Sequence, residues 1–521
     1  MELFRQKLDT PRKQMYFALA AVFVWGLFAH GYGFFHTLAS HDSLNEFNAA
    51  DGGNAWKIQL GRVLVPLYRA VFRTDLTLPW MIGILSLVWT GLAVYLVLRI
   101  FQIQSKGFAF LTAGIFTANI TVIAGISTYI NDHDGNMFAL LCAVGAVYLW
   151  RKCAWGALPG AALVAVSIGI YQSYISVTIT LVLFVCILEL MNEKRFRQVF
   201  TDGLKAVGML LLGGILYYLL MQLVLKTTGS TLSSGGSNSL ETAMALTPQT
   251  ILSLSVSAYR DAAIRLMEVL SPYPDGLVKG ITLALGLGIV AAVAVSLGNK
   301  RIGWMEKALC LVLLCLIPLG MHILFVLTFS IVHDLMVFAL WLFYLLGLLM
   351  IHWLAERIPA GKIDAGKILR GISLSMVFVL LYGNVQTANG VYLKKDLERE
   401  AFLSLMTRVV YRMESCDGYE PGTTPVVFVG DAEQLISVIP GFEEYRRITG
   451  ADFAQTTSMQ TNYRAQRYIY YVMGNPAVMA QEPVWSAMQQ DPRVARMPSY
   501  PEEGSVQILD DVMVVKLGDI S

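Results

Sequence analysis

The chain has 521 residues, 55% of them hydrophobic and only 15% charged, with a mean hydropathy of +0.57 and a formal net charge of +2. Soluble domains carry about a quarter of their residues as Asp, Glu, Lys or Arg, so a soluble globular protein is excluded, and so small a net charge carries no signature of a nucleic-acid partner. Of the six cysteines only Cys416 lies in a polar stretch, which excludes a disulfide framework there.

Basic residues precede the first apolar run without a small-residue cleavage site, which predicts a retained helix rather than a signal peptide. Roughly 20 apolar residues cross a bilayer core. On that measure the apolar runs predict eleven spans, at about 14–36, 79–101, 107–128, 135–150, 155–170, 175–191, 204–225, 279–298, 306–328, 335–354 and 371–389. The fifth and sixth are separated only by YQSY. With eleven spans the basic clusters fall on one side: Arg5, Lys7, Arg12 and Lys13; Lys106; Arg151 and Lys152; Lys194, Arg195 and Arg197; Lys300 and Arg301; Arg357, Lys362, Lys367 and Arg370. The opposite connections NDHDGN, YQSY and SIVHD contain no Lys or Arg. The bias of basic residues toward the cytoplasm then predicts a cytoplasmic N-terminus and an external C-terminus.

Past about residue 390 the charge rises and long apolar runs stop. DLEREAFLSLMTRVVYRM reads as an amphipathic helix, TPVVFVGD as a buried strand ending in a turn, and SVQILDDVMVVKL as a hairpin turning at Asp510 and Asp511. The expected organisation is a polytopic α-helical membrane module over 1–390, with outer loops at 37–78 and 226–278, and a small extracytoplasmic α/β domain over 391–521. No repeat at solenoid or propeller period is visible.

The outer connections collect Asp42, Glu46, Asp51, Asp132, Asp134 and Asp334 together with His36, His41, His133 and His333. The spans hold almost no charge, with His322 the main polar group at depth, whereas an ion or proton pump needs ionisable residues along a midplane path. Each feature has a plain reading. Acidic residues at helix ends cap helices or are solvated, and NDHDGN reads as a turn with an N-cap at Asp134 or Asn136. The His-Asp spacings fit no zinc motif. Arg69 and Arg73, four apart, read as a stripe snorkelling to lipid headgroups.

Several motifs nevertheless occur together in order: HDS and then GRVLVPL, from Gly61 and Arg62 to Leu67, in the first outer loop; YINDHDGNMFALL; GIYQSYISV; and the ending MPSYPEEGSVQILDDVMVVKLGD. On these the chain resembles the bacterial serotype-converting type II glucosyltransferases, polytopic enzymes of the C superfamily of glycosyltransferases (GT-C). Where relatives often carry paired aspartates, this chain has His41 and Asp42. The resemblance implies a GT-C-like fold in the bacterial cytoplasmic membrane and a polyprenyl-phosphate sugar donor, usually glucose. It also implies a lipid-linked or wall-linked cell-surface glycan, such as an O-antigen, as acceptor on the outer face, with inversion on transfer.

That chemistry matches the residues. A polyprenyl phosphate leaves already ionised, so the site needs a carboxylate to take the acceptor proton and cations to hold the phosphate. Asp42 is the expected base, and Arg62 with Lys57 the expected phosphate clamp, Arg offering a bidentate fork. Asp51, Asp132, Asp134, Tyr171 and His333 are expected substrate contacts. Tyr129, Tyr171 and Tyr174 suit sugar faces, although interfacial aromatics also serve as plain anchors. Side-chain cations suffice for a monophosphate and no metal ligand set is assigned, while the His-Asp clusters leave a divalent cation, Mg or Mn, open. Competing readings are a lipid-linked oligosaccharide flippase or polysaccharide-export protein, a membrane receptor, and a protein mannosyltransferase-like enzyme.

Overall fold

The computed structural model describes residues 7–36, 38, 53–233, 247–359, 364–430, 432, 435–436, 440–453 and 467–519. The first helix, Pro11–Phe35, starts where a cap and a proline dictate. Thr10 accepts the Lys13 backbone N–H at 3.3 Å, and Pro11 sits in the first turn, where its missing N–H leaves no bond unmade. Among the described residues eight helices are long and apolar enough to cross a membrane, or nine if the bent pair Lys106–Thr117 and Ile120–Lys152 is taken as one span. Helix Ala157–Ile170 has 14 residues, about 21 Å of rise against a core of about 30 Å.

The bent pair differs from the sequence reading in an informative way. Helix Ile120–Lys152 is interrupted at Tyr129, whose φ of −136° and ψ of 64° leave the helical region. A Cβ on Gly125 would lie 3.5 Å from the His133 ring, although residues eight apart on a straight helix are about 12 Å apart. Ser105 and Arg151, at the far ends, line one cavity. The chain therefore turns back at Tyr129 and forms two arms. The expected turn at 131–136 falls a few residues late, and those residues form the first turns of the returning arm.

Two short helices, Asn54–Gln59 and Val65–Phe72, lie beside that turn, joined by a reversal at Gly61. Gly61 has φ +75°, and a Cβ there would stand 2.7 Å from the Tyr217 hydroxyl. The reversal is pinned from outside: Gln172 Nε2 donates to Leu60 O (3.1 Å), the Tyr217 hydroxyl to Gly61 O (3.0 Å), and the Leu64 N–H to Gly169 O (2.9 Å).

The final apolar run and the amphipathic helix expected after it form one 50-residue helix, Ala365–Glu414. One apolar core takes in residues from Leu8 to Tyr392 together with Ile448 and Ala451, and a second cluster begins at Phe402 on the same helix. That second cluster packs against a four-stranded sheet made of β1 (Pro425–Val429), β2 (Val478–Met479), β3 (Val506–Leu509) and β4 (Val512–Lys516), in the order β2-β1-β4-β3. β1 runs parallel to β2 and β4, while β3 and β4 form an antiparallel hairpin. Asp510 and Asp511 both have positive φ, 49° and 59°, as a two-residue turn with the twist of its strands requires.

Candidate functional site

Asp132 and Asp134 start the returning arm and are buried, not solvated loop residues. Four cations from the short-helix segment converge on them. Lys57 Nζ donates to Asp132 Oδ2 at 2.5 Å, Arg69 Nη2 to Asp132 Oδ1 at 2.9 Å, and Arg62 Nη1 lies 3.5 Å from Asp132 Oδ2. Arg73 Nε donates to Asp134 Oδ2 at 2.9 Å, and its Nη2 binds the Asn131 carbonyl and, at 3.1 Å, the Asn131 side chain. Arg73 Nη1 takes the carbonyls of Thr74 (2.8 Å) and Leu76 (3.1 Å).

This corrects the snorkelling reading of Arg69 and Arg73. Four residues on helix Val65–Phe72 and its C-cap bring both guanidinium groups to one face, but that face meets buried carboxylates, not lipid headgroups. Lys is no substitute for Arg73 here, because an ammonium cannot make its five guanidinium contacts. Asn54 completes the layer: its Oδ1 accepts from Arg69 at 3.0 Å and its Nδ2 donates to Asp75 at 2.9 Å. Burial pushes the Tyr68 hydroxyl well above its ordinary pKa, the Asp134 charge adding to the shift. It stays protonated and donates to Asp134 Oδ2 at 3.1 Å while accepting from Trp89 at 3.0 Å.

The four cations are not equivalent. Lys57, Arg69 and Arg73 are buried, while Arg62 keeps 14% of its side chain exposed and has the longest contact to a carboxylate. Its guanidinium carbon lies 5.0 Å from the centre of the Tyr171 ring, within cation–π range. Arg62 also lines a small cavity whose walls include Tyr129, His133, Asn136, Tyr171 and Tyr174. Lys57 Nζ stands 5.3 Å from the Tyr129 ring centre. The Tyr171 hydroxyl donates to Leu335 O at 3.1 Å, which ties this wall to the segment after His333.

The turn at Tyr129 is braced by a loop from the C-terminal part. Gly450, with φ +80°, packs directly on Thr128. The buried Lys395 ammonium binds Ser127 O and, at 3.1 Å, Gly450 O. Asp334 Oδ2 accepts from the Thr449 N–H (3.0 Å) and hydroxyl (3.1 Å), and Asp334 Oδ1 from Arg265 at 3.1 Å. Arg265 Nε and His322 Nε2 share Asp261 Oδ2 at 2.7 and 2.6 Å. His322 is thus part of a polar ladder reaching this end of the bundle rather than an isolated group at depth.

A family model, glucosyl transferase GtrII, matches residues 31–352, more than half of the chain, and that span contains every residue named in the cation cluster. The chain belongs to the GtrII glucosyltransferase family. Comparison with curated proteins and with solved structures gives no match. Membership implies glycosyltransferase activity of the glucosyl-transferring kind, with a sugar donor and a glycan acceptor in general terms.

Of the residues singled out in this GtrII member, the structure brings Lys57, Arg62, Asp132, Asp134 and Tyr171 into one region. His333 is exposed on the same face, beside Asp334 but outside the ion-pair cluster. Asp42 and Asp51, with His41 and Glu46, lie outside the described residues. Among the described residues no three His, Cys, Asp or Glu side chains gather as metal ligands. Sequence reasoning missed Asn54, Tyr68 and the burial of Arg69 and Arg73. A signal was available, since basic residues on the side expected to be poor in them call for partners.

Proposed function

We propose that this chain transfers a glucosyl unit from a polyprenyl-phosphate donor to a hydroxyl of a cell-surface glycan on the outer face of a bacterial cytoplasmic membrane. The observation that supports it most is the position of Arg62. Among the described residues Lys57, Arg62, Arg69 and Arg73 converge on Asp132 and Asp134, and Arg62, with the longest contact to a carboxylate, lines the cavity with aromatic walls. The donor is a phosphodiester with one negative charge, and breaking the bond from the sugar anomeric carbon to phosphate oxygen adds a second. Cations fixed in advance stabilise that product-like charge more than the ground state.

In this reading Asp132 is no general base, since three cations hold it ionised and occupied. It aims the clamp. Arg62 contacts the phosphate, Tyr171 holds the guanidinium plane from behind, and Tyr129 offers a face to the sugar. The proton of the acceptor hydroxyl goes to Asp42, assigned from the sequence, as the acceptor oxygen bonds to the anomeric carbon from the side opposite the phosphate, with inversion. Side-chain cations carry the phosphate charge, and EDTA is expected to leave the rate unchanged, in contrast to a site built on Mg or Mn.

The test is the initial rate of glucosyl transfer from radiolabelled polyprenyl-phosphate glucose in matched membranes. Arg62→Lys keeps the charge and loses the fork, so a drop of about tenfold or more is expected at unchanged expression. Parent-like kinetics would remove Arg62 from the site. Label that crosses the bilayer without joining a glycan would favour the flippase or export reading instead.

A further inference from the structure

A large cavity lies at the other end of the bundle, the end that the distribution of Lys and Arg assigns to the cytoplasm. Its volume is 1020 Å³. Five cations line it, Lys7, Arg151, Lys194, Lys367 and Arg370, against two carboxylates, Glu189 and Glu356. Charge on a cytoplasmic helix end needs no special account. What does need one is the way these charges are left.

Glu189 is shared by Arg151 (2.8 Å) and Lys194 (2.9 Å), and Lys367 is held by Asp364 at 2.9 Å. Lys7 and Arg370 have no carboxylate within ion-pair distance among the described residues. Arg370 Nε is shielded from solvent and meets no hydrogen-bond partner among the described residues. A buried donor without a partner is uncommon, because it forgoes the hydrogen bond that water would make. The cavity is also two-sided in character: Ile100, Phe108, Leu188, Leu349, Trp353 and Leu374 form apolar wall beside the cationic rim.

We propose that this cavity binds the phosphate headgroup of an anionic lipid of the cytoplasmic leaflet, with Arg370 and Lys7 as its phosphate contacts and the apolar wall taking the first methylenes of its chains. Basic pockets between membrane helices on the cytoplasmic side suit anionic headgroups for these reasons, and this volume is at the upper end of ordinary ligand sites. A neutral glycolipid has no phosphate, and a choline lipid balances its phosphate with its own ammonium, so neither brings net negative charge to Arg370. The pocket gathers the Lys7 segment, the 101–105 connection and the ends of the helices that finish at Lys152, Met191 and Ala355 and begin at Ala365, so an occupant joins six parts of the chain. The assignment does not depend on the glucosyl-transfer reading.

The experiment uses the full chain, purified in detergent, and native mass spectrometry with three probes: phosphatidylglycerol, phosphatidylcholine of the same acyl chains, and glycerol phosphate. We expect one phosphatidylglycerol retained per chain and at least tenfold less phosphatidylcholine. The double variant Lys7→Gln/Arg370→Gln should lose retention at least tenfold, while Arg12→Gln, whose cation is outside the cavity, leaves it unchanged. Phosphatidylglycerol should raise the melting temperature of the parent and not of the double variant. Should the double variant fold poorly, Lys7→Gln alone, at an exposed position, is expected to reduce retention severalfold at a parent-like melting temperature. Equal retention of the two lipids, parent-like retention in the variants, or glycerol phosphate binding that phosphatidylglycerol does not displace would each overturn the proposal.

Discussion

The two ends of the helical bundle handle excess positive charge in opposite ways. At the Asp132 end, four cations come from one segment of fewer than twenty residues and are drawn onto two buried carboxylates, with contacts of 2.5 to 3.5 Å. At the Arg370 end, five cations come from four separate parts of the chain and surround a cavity, and among the described residues Glu189 engages two of them. The difference teaches what buried carboxylates do here. They convert flexible cationic side chains into fixed ones, and a fixed array suits a reaction whose charge develops at one point. The looser arrangement suits a ligand that brings its own negative charge. Burying ions is expensive, so neither arrangement is explained by stability alone.

The largest effect expected separates the two ends directly. Asp132→Asn removes the buried carboxylate on which Lys57, Arg62 and Arg69 converge, and should destabilise the fold by about 3–5 kcal/mol. Detergent-resistant monodisperse protein, followed by size-exclusion chromatography, should fall sharply. A parent-like yield with Asp132→Asn would mean that the cluster is hydrated and not the rigid array described.

Next in size is Asp42→Asn, which should keep the protein folded and reduce glucosyl transfer by about 10²-fold. If it retains normal turnover while Asp51→Asn abolishes it, the base is Asp51. If both are active, proton removal does not occur in this loop.

Arg73→Lys should cost about 2 kcal/mol of stability, since several of its charge-assisted contacts cannot be remade by an ammonium. Arg62→Lys, the catalytic test above, should cost little stability. Melting temperatures of the two variants, side by side, sharpen the distinction between anchor and ligand within one cluster; equal shifts would erase it. Gly450→Ala puts a Cβ against Thr128 at a positive φ and should cost about 1–3 kcal/mol. Its interest is functional: if the loop braces the Tyr129 turn, transfer falls more than the loss of folded protein accounts for. At the far end, Lys7→Gln should shift stability by no more than about 0.5 kcal/mol in lipid-free detergent.

Some of this was legible in the sequence for clear reasons. Period-free apolar runs mark helices in lipid, since every backbone group must be satisfied within its own segment. The turn at Asp510 and Asp511 was readable because two short polar residues between alternating strands tolerate positive φ. The motifs GRVLVPL and NDHDGN pointed to the region that does collect Lys57, Arg62 and Asp132. The burial of Asp132 was not readable. A carboxylate at a helix start looks the same whether water or three cations neutralise it, and only the partner segment decides.

The sequence by itself determined the solvent, the helical class, the family and the segment that supplies the clustered cations, because composition and short-range pattern act residue by residue. Only the tertiary structure decided that the chain doubles back at Tyr129 and that Arg69 and Arg73 face carboxylates instead of headgroups. It likewise decided that Arg62 is the cation left toward a cavity and that Gly450, more than three hundred residues away, rests on Thr128. Those outcomes depend on which surfaces meet across long stretches of chain, and electrostatic energies at a few ångströms change with that meeting far more than with the identity of any one residue.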